Sequence, residues 1–273
     1  MAEPNLKWKR RSFVVLALTM AFASAASPLL AQAPSQAPVL HVMTSGGFAA
    51  ALQRLAPLYE AATGVHVELT YGASMGSSST ALPARLRRGE PADVVVLVSD
   101  ALDDLVKSGL VRADGRTDLA QSRIAMAVKA GAPAPDIRTM ANFRQALLAA
   151  KSVAWSDSAS GVFLQNTLFP RMGLVDAMKA KGRMAPATPI GQVVAQGKAE
   201  IGFQQLSELK PIPGITIVGA IPEEAQKVTV FSAGVAAAST QNQAARALIT
   251  FLASKAVAPD IRDTGMDPIG AAQ

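Results

Sequence analysis

The chain has 273 residues, of which 50% are hydrophobic, and it contains no cysteine. This composition excludes a disordered or fibrous protein, and the missing thiols exclude disulfides, thiolate metal sites, a cysteine nucleophile and a lipidated cysteine. The net charge is +6, but residues 1–31 contain four basic residues and one acid, so the remainder carries +3. A nucleic-acid partner is therefore not predicted.

Residues 1–31 have the parts of a secretory signal peptide. A basic stretch at residues 7–11 precedes an apolar run of about ten residues that begins at Phe13, and small residues follow it. Cleavage is predicted between residues 25 and 33. A permanent membrane span needs about 20 apolar residues, and no second apolar stretch follows. The sequence therefore predicts an exported, periplasmic protein.

From Val39 onward, short apolar segments alternate with segments of helical periodicity. The second of these helical segments, a basic one, follows a loop of small residues. A helix after the valine-rich strand is predicted to be capped by Ser99. Strands are predicted at 39–43, 65–70, 93–98, 123–129, 152–155, 201–204, 215–218 and 227–238. Helices are predicted at 48–63, 100–107, 142–150, 162–171, 189–197 and 243–254.

This alternation indicates an α/β fold with mostly parallel sheets, in which ligands bind at the carboxyl ends of the strands. The most informative turn is 72–80, in which eight of nine residues are Gly, Ala, Ser or Thr. Backbone N–H groups and hydroxyls beside a helix start favour an anion. The predicted ligand turns are 44–47, 72–80, 99–100, 156–161 and the stretch after Phe203.

Several motifs together resemble the molybdate-binding proteins of ABC importers, which are type II periplasmic binding proteins. These motifs are TSGG, GASMGSSST, RGEPADVVVL, SDSASG and GKAEIGFQQLSEL. The resemblance extends over residues 40–269 and implies two α/β lobes, each a mostly parallel sheet flanked by helices, that close on a ligand. The first lobe would comprise residues 39–122 and 227–273, and the second would comprise residues 123–226.

The resemblance also implies an oxyanion site built from hydroxyls and backbone N–H groups. Where the family has a serine after its first strand this chain has Gly47, so Thr44 and Ser45 would have to substitute. The loop that holds the family's second serine is longer here, which leaves Ser74 and Ser79 as alternatives, and an amide replaces a tyrosine. The predicted ligand-binding residues are Thr44, Ser45, Gly47, Ser74, Ser79, Ser160, Thr188 and Gln205.

The longer loop and the amide suggest a different anion from tetrahedral molybdate, such as a carboxylate. Two functions are predicted. The first is a monomeric receptor that captures a small anion for the membrane component of an ABC importer. The second is an isomerase similar to periplasmic aconitate isomerase, which moves an allylic proton within a tricarboxylate and needs a general base. Candidate cations for a tricarboxylate are Arg85, Arg171 and Lys210.

The sequence does not single out a base. Asp100, Asp157 and Glu208 lie near ligand turns, but each also fits as a helix cap or a surface acid, so no catalytic residue is predicted. The histidines, His41 and His66, lie in predicted strands without a second metal ligand at a known spacing. Neither a metal nor a cofactor is therefore predicted.

Overall fold

The structure, a computed structural model, describes Met1, residues 38–76 and residues 78–270. Apart from Met1, the predicted signal peptide at residues 1–31 lies outside the described residues. The described residues from Pro38 onward belong to one compact unit, Ala37–Gln273. Among the described residues, no helix combines the length and the hydrophobicity that a membrane span requires.

The elements are numbered in chain order. The described strands are β1 (Val39–Ser45), β2 (His66–Gly72), β3 (Val94–Val98), β4 (Thr117–Ser122), β5 (Ile124–Lys129), β6 (Val153–Ser156), β7 (Gly182–Ala185), β8 (Ile201–Gln205), β9 (Ile215–Ala220), β10 (Thr229–Val235) and β11 (Asp267–Pro268). The described α-helices are α1 (Gly46–Thr63), α2 (Leu82–Arg87), α3 (Ser99–Lys107), α4 (Met140–Ala149), α5 (Ala159–Phe163), α6 (Phe169–Arg171), α7 (Val175–Lys181), α8 (Ile190–Ala195), α9 (Leu206–Leu209), α10 (Asn242–Leu252) and α11 (Ala258–Asp263). A π-helical stretch, Leu164–Leu168, joins α5 to α6.

The first sheet has the strand order β11-β4-β10-β3-β1-β2. Its central strand β3 is buried along its whole length, as its valine-rich sequence predicts. Val94 and Val96 pack on one face in a core that contains apolar residues of α1 and α10. Val95 and Leu97 face the opposite side, where α2 and α3 cover the sheet. Successive side chains of a strand alternate between faces, so both layers bury apolar area.

The second sheet has the strand order β7-β6-β8-β5-β9. One of its faces packs against α4 and the helical segment that begins with α5, through Phe143, Leu164 and Phe203. Ile190 and Val194 of α8 pack with Ala154 on the other face. The first sheet takes its strands from residues 39–122 and 229–268, and the second takes its strands from residues 124–220.

The α/β fold class with two helix-flanked sheets is confirmed, but the sheets are mixed rather than mostly parallel. Four strand pairs are parallel and five are antiparallel. In the first sheet the difference arises because β10 enters between β3 and β4 and runs against both. The prediction that Ser99 caps a helix is wrong, since α3 begins at Ser99 and its N-cap residue is Val98.

The chain passes between the two sheets twice, at residues 122–124 and 226–229. Thr229 pairs with Ser122 in the first sheet. Next to this pair, the backbone N–H of Ile124 donates to Oε1 of Gln226 over 2.8 Å, and Nε2 of Gln226 donates to the carbonyl of Ile124 over 3.1 Å. The two connections therefore run side by side and are hydrogen-bonded to each other.

Candidate functional site

Residues at or just after the carboxyl ends of four strands line a cleft of about 510 Å³. Gly46 follows β1, Gly72 ends β2, Ser156 ends β6, and Gln204 lies near the end of β8. Because β1 and β2 belong to the first sheet and β6 and β8 to the second, the cleft lies between the sheets. This is the edge at which α/β proteins bind ligands.

A smaller cavity of about 10 Å³ adjoins the cleft and shares Gly46, Ser158 and Glu208 with it. Two of its lining residues each carry a buried polar atom that has no hydrogen-bond partner among the described residues. These atoms are Oγ of Ser45 and Oε1 of Gln205. Leaving a buried polar atom unpaired costs about 1–3 kcal/mol. Two such atoms beside one cavity indicate a place for a ligand atom.

Helix α1 directs its N-terminus at this cavity. Its N-cap residue, Ser45, makes no side-chain capping bond, and the first turn contains no acidic residue. The helix is 18 residues long, so its first N–H groups and its dipole present partial positive charge to the cavity. This end of α1 is suited to receive a negatively charged group.

The glycines at the start of α1 allow two side chains to approach the backbone closely. A Cβ atom on Gly46 would overlap with the carboxylate of Glu208, whereas a Cβ atom on Gly47 would overlap with the ring of Phe231. Phe231 is buried in the core of the first sheet. Gly46 therefore makes room for a polar group of the site, and Gly47 makes room for the hydrophobic core beneath it.

The Gly47→Ala variant is expected to lose about 1–3 kcal/mol of stability, because the added methyl group must displace a buried aromatic ring. Thermal and urea denaturation followed by circular dichroism measure this loss. Gly46→Ala is the matched control, since its methyl group meets the end of the half-buried Glu208 side chain rather than a buried ring. Equal losses in the two variants would contradict the assigned role of Phe231.

Glu208 lies in α9, directly after β8, and its half-buried side chain stands at the junction of the two cavities. Oε1 accepts a hydrogen bond of 3.0 Å from Nε2 of Gln204. Among the described residues no Lys, Arg or His forms an ion pair with it. Burial raises the pKa of this carboxyl to about 7, against the opposing effect of hydrogen bonds from Gln204 and the Gln205 backbone. Such a group can both accept and donate a proton near neutral pH.

Gln204 holds the Glu208 carboxylate in place. Its Oε1 accepts a hydrogen bond of 2.8 Å from the backbone N–H of Ile190, at the start of α8. This bond directs Nε2 of the same amide toward Glu208. The neighbouring amide, Gln205, donates from Nε2 to Oγ1 of Thr229 over 2.9 Å. Rotating that amide by 180° would turn its NH₂ group into the small cavity and let Thr229 donate to Oε1.

The turn after β6 and the loop after β2 approach each other across the cleft. A Cβ atom on Gly76 would lie 3.3 Å from the carbonyl oxygen of Asp157. Oδ1 of Asp157 accepts a hydrogen bond of 3.3 Å from the backbone N–H of Ala187. Ala187 has a φ of 51°, which is unusual for a residue with a Cβ atom, and it lines the cleft. Elements of both sheets therefore form the walls.

The structure brings six of the eight predicted ligand-binding residues to the two cavities. Thr44 is buried in β1 and donates to the carbonyl of Ser45, and Ser79 is exposed, while its neighbours Ser78 and Thr80 line the cleft. The predicted residues that line a cavity are Ser45, Gly47, Ser74, Ser160, Thr188 and Gln205. Of the two alternative loop serines, Ser74 thus lies at the small cavity, where it is buried and accepts from the N–H of Val98.

None of the described residues that line the two cavities is Lys or Arg. Arg85 donates instead to Glu90 and to the carbonyl of Tyr71. Arg171 donates to the carbonyl of Glu224, and Lys210 is exposed and lines neither cavity. The three cations considered for a tricarboxylate therefore do not line the cleft, and an anion there would contact hydroxyls, amides and backbone N–H groups.

From the sequence, Glu208 was one of three acids near the predicted ligand turns, and Gln204 was not identified as its hydrogen-bond partner. The useful signal was two adjacent glutamines at the end of an apolar strand, followed within one turn by a glutamate. Asp100, the third acid considered, lies on α3 and lines neither cavity.

The two helix-flanked sheets and the cleft between the carboxyl ends of their strands define a type II periplasmic binding protein fold. The model of a family described as bacterial extracellular solute-binding protein matches residues 40–267. The chain therefore belongs to this family.

An aconitate isomerase from Pseudomonas sp. is 53% identical to the chain over 247 residues, which cover 90% of this chain and 94% of that protein. The periplasmic molybdate-binding protein of Azotobacter vinelandii has a similar structure. Its TM-score is 0.66 and its sequence identity 21%, and the match covers 83% of this chain and 98% of that one. The sulfate-binding protein SubI from Mycobacterium tuberculosis H37Rv gives a TM-score of 0.63 at 20% identity, over 85% of this chain and 87% of the other.

Proposed function

We propose that the protein is an isomerase that interconverts the cis and trans isomers of aconitate. The observation that carries this proposal is the 53% identity to an aconitate isomerase over nearly the full length of both chains. The predicted signal peptide and the family to which the chain belongs support a periplasmic location for this activity.

The dimensions of the cleft support this substrate class. A volume of about 510 Å³ lies within the range of about 300–1,000 Å³ that is typical of small-molecule sites, and aconitate has only six carbon atoms. The smaller cavity has a volume of about 10 Å³, which is room for about one ligand atom, and the N-terminus of α1 and the hydroxyl of Ser45 would favour a carboxylate oxygen there. The remaining carboxylates would lie in the larger cleft near Thr188 and Ser78.

The reaction is a proton shift across three carbon atoms. A proton leaves the methylene carbon, the double bond moves by one position, and a proton is added to the carbon that was vinylic. The negative charge that develops is shared between the carbon chain and its carboxylates. Hydrogen-bond donors held in a water-poor site stabilise such charge more than water does. The hydroxyls, amides and backbone N–H groups that line the cleft are donors that could act in this way.

A receptor that delivers an anion to an ABC importer is the second candidate. The lining of the small cavity is compatible with this function, because two unpaired polar atoms at a helix N-terminus also suit one oxygen atom of an oxyanion that lies at the junction with the larger cleft. The two candidates differ in one measurable property, since a receptor binds its ligand without converting it.

The protein purified from the periplasm is expected to convert cis-aconitate to trans-aconitate catalytically, as followed by proton NMR. It is also expected to show a higher melting temperature with either isomer than without ligand, because a ligand that binds the native state stabilises it. Molybdate, tungstate and sulfate serve as comparison ligands in the same thermal assay. A melting shift with an oxyanion and no turnover of aconitate would contradict the isomerase and favour the receptor.

A further inference from the structure

We propose that Glu208 is the catalytic base, which removes the allylic proton of the substrate and returns it to the other end of the three-carbon unit. This inference rests on the proposed isomerase function and identifies the residue that performs it.

Glu208 is distinguished from other ionisable residues of the cleft by its position. Of the described residues that line the two cavities, only Tyr71, Asp157 and Glu208 carry a titratable side chain. Tyr71 is 45% exposed, and its hydroxyl accepts a hydrogen bond from Gln53. Asp157 lines only the larger cleft, where it accepts the N–H of Ala187. Of these three residues, only Glu208 lines both cavities.

The carboxylate of Glu208 also faces the group that would stabilise the developing charge. It lies against Gly46, in the first turn of α1, close enough that a Cβ atom there would overlap with Oε1. A substrate carboxylate at the start of α1 would therefore place the adjacent methylene carbon near Glu208. General-base catalysis requires this kind of proximity before any matching of acidity.

Among the described residues, no basic side chain on the elements around Glu208 forms an ion pair with it. Helix α8 contains no ionisable residue, and neither does β8. On α1, Arg54 pairs with Asp260 and Asp263, and Glu60 pairs with His66. The other titratable residues on these elements and in the cleft do not pair with it either: Tyr59 is buried on α1, Asp157 and Tyr71 line the larger cleft, Lys129 is exposed at the far end of β5, and Lys210 is exposed after α9.

Burial of the carboxyl without a cation keeps its pKa near neutrality, where a base can both take up and release a proton. In the step, the C–H bond of the substrate methylene breaks, and its proton forms an O–H bond with Glu208. The electron pair moves into the adjacent carbon chain, and the double bond shifts. The O–H bond then breaks as a C–H bond forms at the formerly vinylic carbon, which regenerates the carboxylate and requires no cofactor.

The Glu208→Gln variant tests the inference, since glutamine keeps the size of the side chain and its acceptor for Gln204 but cannot take up a proton. We expect kcat to fall by about 10²- to 10⁴-fold. Binding of aconitate, measured by calorimetry, is expected to stay within about tenfold of the wild type, the equivalent of about 1.4 kcal/mol. The variant is also expected to lose the exchange of substrate methylene protons with deuterium in D₂O.

Glu224→Gln is the matched control, because Glu224 is exposed and its side chain forms no ion pair among the described residues. Asp157→Asn tests the other carboxylate of the cleft. A kcat of Glu208→Gln within tenfold of the wild type, a defect confined to KM, or a larger loss of kcat in Asp157→Asn would each overturn the assignment of Glu208. Failure of the wild-type protein to isomerise aconitate would instead overturn the proposed function, so the two failures are distinguishable.

Discussion

At pH 8, the Glu208→Gln variant is expected to be more stable than the wild-type protein by about 2–3 kcal/mol. Burial raises the pKa of Glu208 from 4.5 to about 7 in the folded protein. Between these two pH values the folded state binds more protons than the unfolded state, so the stability of the wild type falls as the pH rises. The neutral amide avoids this cost because it does not have to ionise in a buried position.

Urea denaturation at pH 4 and pH 8 measures this effect. The stability difference between the variant and the wild type should be small at pH 4, below both pKa values, and should reach its full size above pH 7. Glu224→Gln, the same change at an exposed site, should show no such dependence on pH. A difference of equal size at both pH values would show that packing, rather than ionisation, distinguishes the two proteins.

The Asp93→Ala variant is expected to lose about 3–5 kcal/mol of stability, because it removes a buried carboxylate that accepts three hydrogen bonds. Oδ1 of Asp93 accepts from Oγ of Ser239 over 2.5 Å. Oδ2 accepts from the backbone N–H of His41 over 2.9 Å and from Nε2 of Gln241 over 3.2 Å. These bonds join the chain at the start of β3 to β1 and to the segment before α10.

Thermal denaturation measures this loss. Asp93→Asn is expected to lose less stability than Asp93→Ala, because the amide retains one acceptor. Asp104→Ala is a suitable control, since Asp104 is exposed and forms only a surface ion pair with Lys107. A loss of less than about 1 kcal/mol in Asp93→Ala would contradict the assigned role. The Asp93 carboxylate lies outside both cavities of the candidate site. Its hydrogen bonds therefore give the PADV motif, residues 91–94, a structural role.

The sequence predicts an element correctly where the residues of that element alone determine its structure. The buried strand β3 consists of valine and leucine, and α1 is terminated by its C-cap residue Gly64, whose φ of 72° suits a residue without a side chain. The antiparallel insertion of β10 was not predictable, because it depends on where the chain returns after the second sheet rather than on the composition of the strand. Helix α9 was also missed, since four residues are too few for a periodic pattern.

The candidate site was predictable at the level of turns but less so at the level of side chains. Thr44 and Ser45 are adjacent and equally polar, and only the orientation of β1 decides that Ser45 faces the cavity. Within the loop after β2, Ser74 turns inward and Ser79 outward, although both are serines. The environment of Glu208 depends on Gly46, which lies more than 160 residues away in the sequence, so its burial could not be inferred locally.

The paired connections between the sheets have a mechanical consequence for access to the cleft. Ser122 and Thr229 lie opposite each other, and Gln226 joins the second connection to Ile124. Two adjacent tethers act as a hinge, and a rotation about them would separate the walls while both sheets keep their internal hydrogen bonds. Opening would then separate the contacts across the cleft, such as the close approaches of Gly76 to Asp157 and of Gly46 to Glu208. Entry and release of a ligand would therefore leave the hydrogen bonds within each sheet intact.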